Sequence, residues 1–405
     1  MDNRFSDMIL KTKGRALNVD SFIVGKITIN FPIKDHILII TGQNGIKTED
    51  LSSVKAILTN LPIESLGIYN IPIVHSIKVL DHLKDDDIVV VNTNGVVNTL
   101  YREQSTHNFL FLTERCNSNC LMCSQPPKDH DDTQYFYEVN SALIPLIPKE
   151  SCESIGITGG EPTLLGDYFY SLIEKLKSNL PDTFVQCLTN GRTFAWPDTA
   201  EKLHTIDHSG LLLAIPLYSD IAEIHDYVVQ AKGAFYQTVN GIYNLARYNQ
   251  RIEIRVVLHK ITIPRLQKLA EFIYKNMPFV EHIALMGLEM EGYTPFNIDK
   301  LWIDPYDYQE QLKETVLFLN DFGMNVSIYN IPLCLLPEEL WCFSQKSISD
   351  WKNIYFDACN SCDKLEECGG MFKSSVKKHS DYIKPFSKVI ENLVTDLEMV
   401  FDIKQ

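Results

Sequence analysis

The sequence predicts an α/β chain: a partial (β/α)6 barrel of parallel strands, with a small strand-rich α+β domain before it and a cysteine-rich extension after it. Three observations carry this. From about residue 106, apolar strand patterns alternate with amphipathic helical ones. Residues 1–105 show strands and a hairpin but no such alternation, and no cysteine. Eight of the ten cysteines fall into two groups, 116–123 and 334–368, whereas cysteines used only for packing would scatter. The expected divisions are 1–105, 106–330, 331–375 and a helical tail 376–405.

In the first division Ile23-Val24 and Ile27-Thr28-Ile29 suggest one strand and Ile37–Ile40 another. A helix is expected around 50–60. Ile88–Val91, Asn92–Gly95 and Val96–Tyr101 read as a hairpin, whose Asn94-Gly95 pair suits positive φ angles. No chemistry is assigned to this domain; packing or partner docking is its simplest role.

The barrel strands are expected at 108–113, 154–158, 183–189, 210–217, 251–258 and 282–288, with helices at 167–178, 234–248 and 264–276. Pro264 suits a first helical turn. Units of this kind build a parallel sheet covered by helices, and right-handed crossovers curl it into a barrel or part-barrel. Chemistry then sits at the C-terminal ends of the strands. A last amphipathic helix is expected at 304–322 and a short strand at 326–329. In the tail, Phe386, Ile390, Leu393, Leu397 and Phe401 recur at helical spacing.

The chain has 405 residues, 45% hydrophobic and 22% charged, ample for a core. A net charge of −15 argues against a protein held by phosphate contacts, so nucleic acid is not an expected partner. No run of 18 uncharged apolar residues suggests a membrane span. The first residues lack the apolar core and cleavage site of a signal peptide. The expected location is the cytoplasm, where thiols stay reduced and clustered cysteines read as metal ligands.

Cys116-Asn117-Ser118-Asn119-Cys120-Leu121-Met122-Cys123 follows the first barrel strand. Three thiolates at this CxxxCxxC spacing can hold three irons of a [4Fe–4S] cube and leave the fourth open to a small molecule. Structural zinc favours CxxC pairs in twos, and a lone triad does not complete a tetrahedron. Asn117, Ser118 and Asn119 can turn the loop or bond cluster sulfurs. The second strand ends in Gly159-Gly160-Glu161-Pro162. Its glycines let the backbone approach a ligand, and Glu161 can accept from an ammonium.

CxxxCxxC followed by GGEP resembles the radical S-adenosylmethionine (radical SAM) superfamily. The resemblance implies that the amine and carboxylate of SAM chelate the open iron at Cys116, Cys120 and Cys123. Gly159, Gly160, Glu161 and Pro162 then hold the amino group. A 5′-deoxyadenosyl radical abstracts hydrogen from substrate. Asn190, in Thr189-Asn190-Gly191, is expected to contact SAM, and Ser219, in Tyr218-Ser219-Asp220, its ribose or carboxylate. Met122 is expected to pack on the adenine, and Met286-Gly287-Leu288 to bring backbone close to adenine or ribose. Arg255, charged within an apolar strand, needs a partner: the SAM carboxylate, or equally Glu253 or Glu289. His225-Asp226 reads as a helix cap or surface pair before a substrate contact. No general acid or base is assigned.

The second cysteine group is Cys359-x2-Cys362-x5-Cys368, with Cys334 and Cys342 upstream. Four of these complete a [4Fe–4S] or a zinc site. The spacing resembles the SPASM or twitch auxiliary-cluster extension of radical SAM enzymes, although Phe372 stands where the longer pattern has a further cysteine. One auxiliary cluster is expected on Cys334, Cys359, Cys362 and Cys368, with Cys342 the spare and the alternative fourth ligand. Cys152 and Cys187 read as small buried residues.

Longer stretches, Leu112–Pro127, Ala284–Glu289 and Ser347–Lys352, resemble the HxsC family of radical SAM maturases of the His-Xaa-Ser repeat peptide system. This implies a ribosomally made precursor peptide as substrate, a second radical SAM maturase and a small accessory protein as partners, and an electron donor such as flavodoxin or ferredoxin. The competing readings are a small-metabolite or RNA-base substrate, and a non-catalytic iron–sulfur partner subunit.

Overall fold

Eight short strands organise the start of the chain: β1 (Lys11–Lys13), β2 (Arg15–Leu17), β3 (Ile23–Thr28), β4 (Ile37–Ile40), β5 (Ala56–Thr59), β6 (Ile73–His75), β7 (Ile88–Val91) and β8 (Val96–Tyr101). They form one sheet in the order β1-β8-β7-β3-β4-β5-β6-β2. The computed structural model describes residues 10–29, 34–41, 51, 53–67, 70–347 and 352–386. The tail helix expected over 376–405 falls outside these from residue 387 onward, as does Trp351 of the Ser347–Lys352 stretch.

Strand β4 shows why this sheet forms. Ile37 and Ile39 enter one hydrophobic core with Ala56, Leu58 and Val89, while Leu38 and Ile40 enter another with Leu51, Ile57 and Ile73. Successive side chains on a strand point to opposite faces, so a continuous apolar run serves a sheet covered on both. The helix expected around 50–60 is corrected by β5, which is wholly buried and parallel to β4 and β6. Four apolar residues carry no period of their own; the parallel neighbours decide. The hairpin of β7 and β8 is present, with Gly95 at φ +77°.

The chain divides into two compact units. The first comprises 1–115, 130–188 and 206–211, and adds β9 (Asn108–Phe111), α1 (Thr133–Leu143), β10 (Ser154–Thr158), α2 (Asp167–Asn179) and β11 (Phe184–Leu188) to the eight strands. Strand β10 lies parallel between β9 and β11. The second comprises 116–129, 189–205 and 212–405. It carries α3 (Pro197–Ile206), β12 (Leu211–Pro216), α4 (Ala222–Val229), α5 (Ala234–Arg247), β13 (Arg251–Val257), α6 (Leu266–Asn276), β14 (His282–Met286), α7 (Ile298–Leu301), α8 (Gln309–Asp321), β15 (Val326–Tyr329), β16 (Ser344–Gln345), β17 (Asn353–Ile354) and β18 (Met371–Phe372). Strands β12 to β16 run parallel in chain order.

Helix α6 buries Leu266, Leu269, Ala270 and Ile273, the one-sided stripe that covers a sheet. The helix expected at 304–322 begins later, because the Asp304 carboxylate accepts from the Tyr306 N–H at 3.0 Å and Pro305 opens a 3-10 turn before α8. Among the described residues no helix is long and apolar enough to cross a membrane.

Candidate functional site

The Cys116–Cys123 loop has no regular structure of its own, so its shape is borrowed. The Asn119 N–H donates to the Val229 carbonyl at 3.0 Å and the Leu121 N–H to the Val228 carbonyl at 2.9 Å, at the end of α4. The Tyr293 N–H donates to the Cys123 carbonyl at 2.9 Å. Asn297 Nδ2 donates to the Leu121 carbonyl at 2.9 Å. Arg192 donates to the Asn117 carbonyl and, at 3.0 Å, to Ser118 Oγ. With its main chain tied at both ends, the loop presents three half-buried thiols. Burial, and then the neighbouring thiols of Cys123 and Cys116, push the Cys120 thiol up to about 12. Such a thiol stays protonated at neutral pH until a metal takes it as thiolate.

Asn117 and Ser118 thus bind protein groups that hold the loop. Met122 is buried and packs with Leu121, Val228 and Leu301, an apolar anchor beneath the loop. Arg192, Tyr218 and Asn297 were not singled out by sequence reasoning. The Arg192–Asn117 contact spans 75 residues, and no local pattern marks it.

The Gly159–Pro162 turn belongs to the first unit. The Gly160 N–H donates to the Thr113 carbonyl at 2.7 Å and the Glu161 N–H to the Arg115 carbonyl at 2.8 Å. Glu161 is buried, and its carboxylate accepts from the Thr163 hydroxyl at 2.6 Å and N–H at 3.2 Å. Gly159 sits at φ +146°, and a Cβ there would lie 2.6 Å from the Thr113 carbonyl oxygen. G159A is therefore expected to destabilise the protein by about 1–3 kcal/mol through backbone strain, read as a lower urea midpoint. An unchanged midpoint would show that the turn relaxes freely. The Asp132 carboxylate steadies the same stretch, accepting from Thr113 Oγ1 and from the Glu114 N–H, both at 2.6 Å. Glu114, His130 and Asp132 bring ligand-type atoms within 4.8 Å of one another, but those bonds occupy both Asp132 oxygens.

The later strand ends depart from expectation in several places. The Asn190 side chain donates to Asn117 Oδ1 at 2.6 Å and accepts from the Arg192 N–H at 3.0 Å, so it ties its turn to the cysteine loop. Ser219 is fully buried, and its hydroxyl accepts from the Ile221 N–H at 3.1 Å. It shapes the entry to α4. At Gly287 a Cβ would meet the Asn330 carbonyl at 2.6 Å. The close approach there is to the end of β15, not to a nucleoside.

Arg255 Nε lies 3.3 Å from Glu253 Oε1 without a hydrogen-bond geometry, and it is buried. Glu253 also meets His282 Nδ1 at 2.8 Å. Two residues apart on one strand share a face, which is why Glu253 is the partner. Lys352 takes Glu289. Asp226 accepts from the Phe235 N–H at 2.8 Å and so caps α5.

His225 Nδ1 accepts from the Tyr218 N–H at 3.3 Å, and His259 lies on the other side of the Tyr218 ring. Burial lowers the His225 imidazole to about 4 and that of His259 to about 3, from an ordinary 6.5. Both are neutral when folded and free to take a proton when unfolded below pH 6.5. Stability is therefore full above that pH and falls as pH drops toward 4. The slope is about 1.4 kcal/mol per pH unit for each histidine. Urea midpoints between pH 7.5 and pH 5 check this, with H259Q expected to decline less steeply.

The second cysteine group converges. Cys334, Cys359, Cys362 and Cys368 line one cavity with Tyr355, Lys384 and Phe386. The Leu333 and Gly370 N–H groups point at Cys368 Sγ at 3.4 and 3.5 Å, and the Phe386 N–H at Cys362 Sγ at 3.4 Å. Amide donors aimed at sulfur are the supporting contacts a metal centre uses. Cys342 is exposed and does not line the cavity. Four thiols on one cavity are the donor set of a [4Fe–4S] cluster or of a zinc ion. Cys152 and Cys187 are buried apart from both groups.

Residues 110–273 match the model of the Radical SAM superfamily. An uncharacterized protein of Methanocaldococcus jannaschii is 27% identical over 276 residues, covering 61% of this chain and 90% of that protein. The cysteine-type anaerobic sulfatase-maturating enzyme of Clostridium novyi is 26% identical, covering 53% of this chain and 60% of its own. The mycofactocin maturase MftC of Mycolicibacterium smegmatis is 27% identical, covering 39% of each chain. The chain thus spans less than two thirds of the two relatives whose activities are named.

Proposed function

We propose that this chain, whose residues 110–273 form a radical SAM domain, is a SAM-dependent radical enzyme that modifies a ribosomally made peptide and holds a second, auxiliary [4Fe–4S] cluster. The observation that carries this is the tied loop, which offers the thiols of Cys116, Cys120 and Cys123. With SAM bound, the reduced cluster supplies a 5′-deoxyadenosyl radical that takes a hydrogen atom from the peptide.

The chain's own part is to place and shield. Cys116, Cys120 and Cys123 give three thiolates. Gly159, Gly160, Glu161 and Pro162 offer a rigid turn to the SAM amino group. Arg255, whose Nε finds an ion contact but no aligned hydrogen bond, offers its guanidinium to the carboxylate. Asn190, after β11, holds the loop through Asn117; Ser219 acts through the turn it shapes. Cys334, Cys359, Cys362 and Cys368 hold the auxiliary cluster.

Relatives named as a sulfatase-maturating enzyme and a mycofactocin maturase support a peptide substrate, whereas relatives named as probable GTP 3′,8-cyclases support the competing small-nucleotide reading. The His-Xaa-Ser repeat precursor is the specific substrate proposed, with a second radical SAM maturase, a small accessory protein and a flavodoxin or ferredoxin as partners. The test is anaerobic reconstitution with iron and sulfide, then SAM, reductant and the repeat peptide. Release of 5′-deoxyadenosine with loss of two hydrogens from the peptide is expected. Deoxyadenosine release with an unchanged peptide would overturn the substrate alone; no release would overturn the radical reading.

A further inference from the structure

A basic cleft in the first unit has no part in the chemistry above. Strands β1 and β2 are one segment broken at Gly14: residues 11–13 pair with β8, and residues 15–17 with β6. On the β8 side the Thr99 N–H donates to the Leu10 carbonyl at 2.8 Å, and the Gly14 N–H to the Gly95 carbonyl at 3.0 Å. Strand main-chain groups alternate sides. Residues 10, 12 and 14 therefore face β8, and the N–H and C=O groups of Lys11 and Lys13 face away. There β6 has already ended, at His75. The chain beyond it forms the other wall and is tied to β1 by the Thr12 hydroxyl, which donates to the Val79 carbonyl at 3.0 Å.

What remains is a cleft of about 720 Å³, with Lys11, Lys13, Arg15 and Lys78 in its lining. All four are exposed, and among the described residues none has a carboxylate partner. Four cations without a carboxylate partner among the described residues, gathered at one strand edge, are unusual on a chain of net charge −15.

The chemistry of the edge selects its occupant. A phosphate accepts hydrogen bonds only, so it would leave the Lys11 and Lys13 carbonyls unpaired. An extended polypeptide supplies both donors and acceptors in strand register. A second copy of β1 would set lysine against lysine, which is unfavourable across a strand pair. We propose that this cleft binds an extended acidic polypeptide segment, which adds to β1 as a further strand and sets its carboxylates against Lys11, Lys13, Arg15 and Lys78. The inference uses none of the cysteines and stands apart from the reading above.

The experiment uses the full chain and a fluorescein-labelled peptide of alternating glutamate and valine, followed by anisotropy. Binding is expected, and it should weaken as salt rises from about 50 to about 300 mM. A lysine–valine peptide should not bind. K11E/K13E should weaken binding at least about tenfold, as for charges meeting across an interface. Amide hydrogen exchange on the unaltered protein gives a readout independent of how the variant folds: the Lys11 and Lys13 amides should slow when the acidic peptide is bound. Unchanged exchange at these amides, or equal binding by K11E/K13E, overturns the proposal. Displacement of the peptide by polyphosphate with those amides still exchanging freely would show a simple anion site, and overturns it too.

Discussion

C120A is expected to abolish 5′-deoxyadenosine release while leaving the second cysteine site loaded with iron. Cys120 is the middle of three thiols, and the other two cannot hold a cube by themselves. The loss should exceed about a thousandfold, at least about 4 kcal/mol of barrier, because no other route to the radical exists. The fold should survive: the main-chain bonds of Asn119 and Leu121 to Val229 and Val228 do not involve the Cys120 side chain. Iron analysis, the visible spectrum of the anaerobic protein and deoxyadenosine release check the three parts. Release at the unaltered rate would sink the assignment of the triad. Loss of all iron would show that the two groups form one site.

The second large effect is expected at Cys368. This thiol is buried and receives two main-chain N–H groups, from Leu333 and Gly370. In C368S the shorter, harder oxygen would sit where those donors are set for sulfur. The variant is expected to lose the iron of the second site, keep deoxyadenosine release, and make no modified peptide. Its unfolding midpoint should also fall, because a ligand bound only by the native state stabilises by mass action. C342S is the contrast: Cys342 is exposed and outside the cavity, so its iron content should be unchanged. If C368S removes zinc and no iron, the second site is a structural zinc centre.

Legibility in the sequence follows the range of the interaction. The barrel strands were readable within about two residues, since a buried parallel strand is a continuous apolar run, and α5 and α6 followed from their stripes. Helices α1, α3 and α4 fall in the helical stretches expected between the barrel strands, though the sequence reading set no bounds for them. Strand β5 was mistaken for helix because its evidence lies in β4 and β6, not in itself. The four cysteines expected together line one cavity, and Cys342 lies outside it. Ser219 and Met122 are buried, which the sequence does not show, since whether a side chain at a strand end or loop faces inward depends on what packs beneath it.

The residue order by itself determined the chemistry on offer: three thiols at CxxxCxxC, a Gly-Gly turn, and a second thiol set. Ligand spacing and backbone freedom are local properties that survive without a fold. Only the tertiary structure decided who holds these groups in place. Arg192 and Asn190 brace the cysteine loop, Glu253 meets Arg255, and the distant amides of Leu333 and Phe386 reach the sulfurs of Cys368 and Cys362. It also opened the basic edge at Lys11 and Lys13, since whether a strand finds a neighbour is settled by where the neighbouring strand ends.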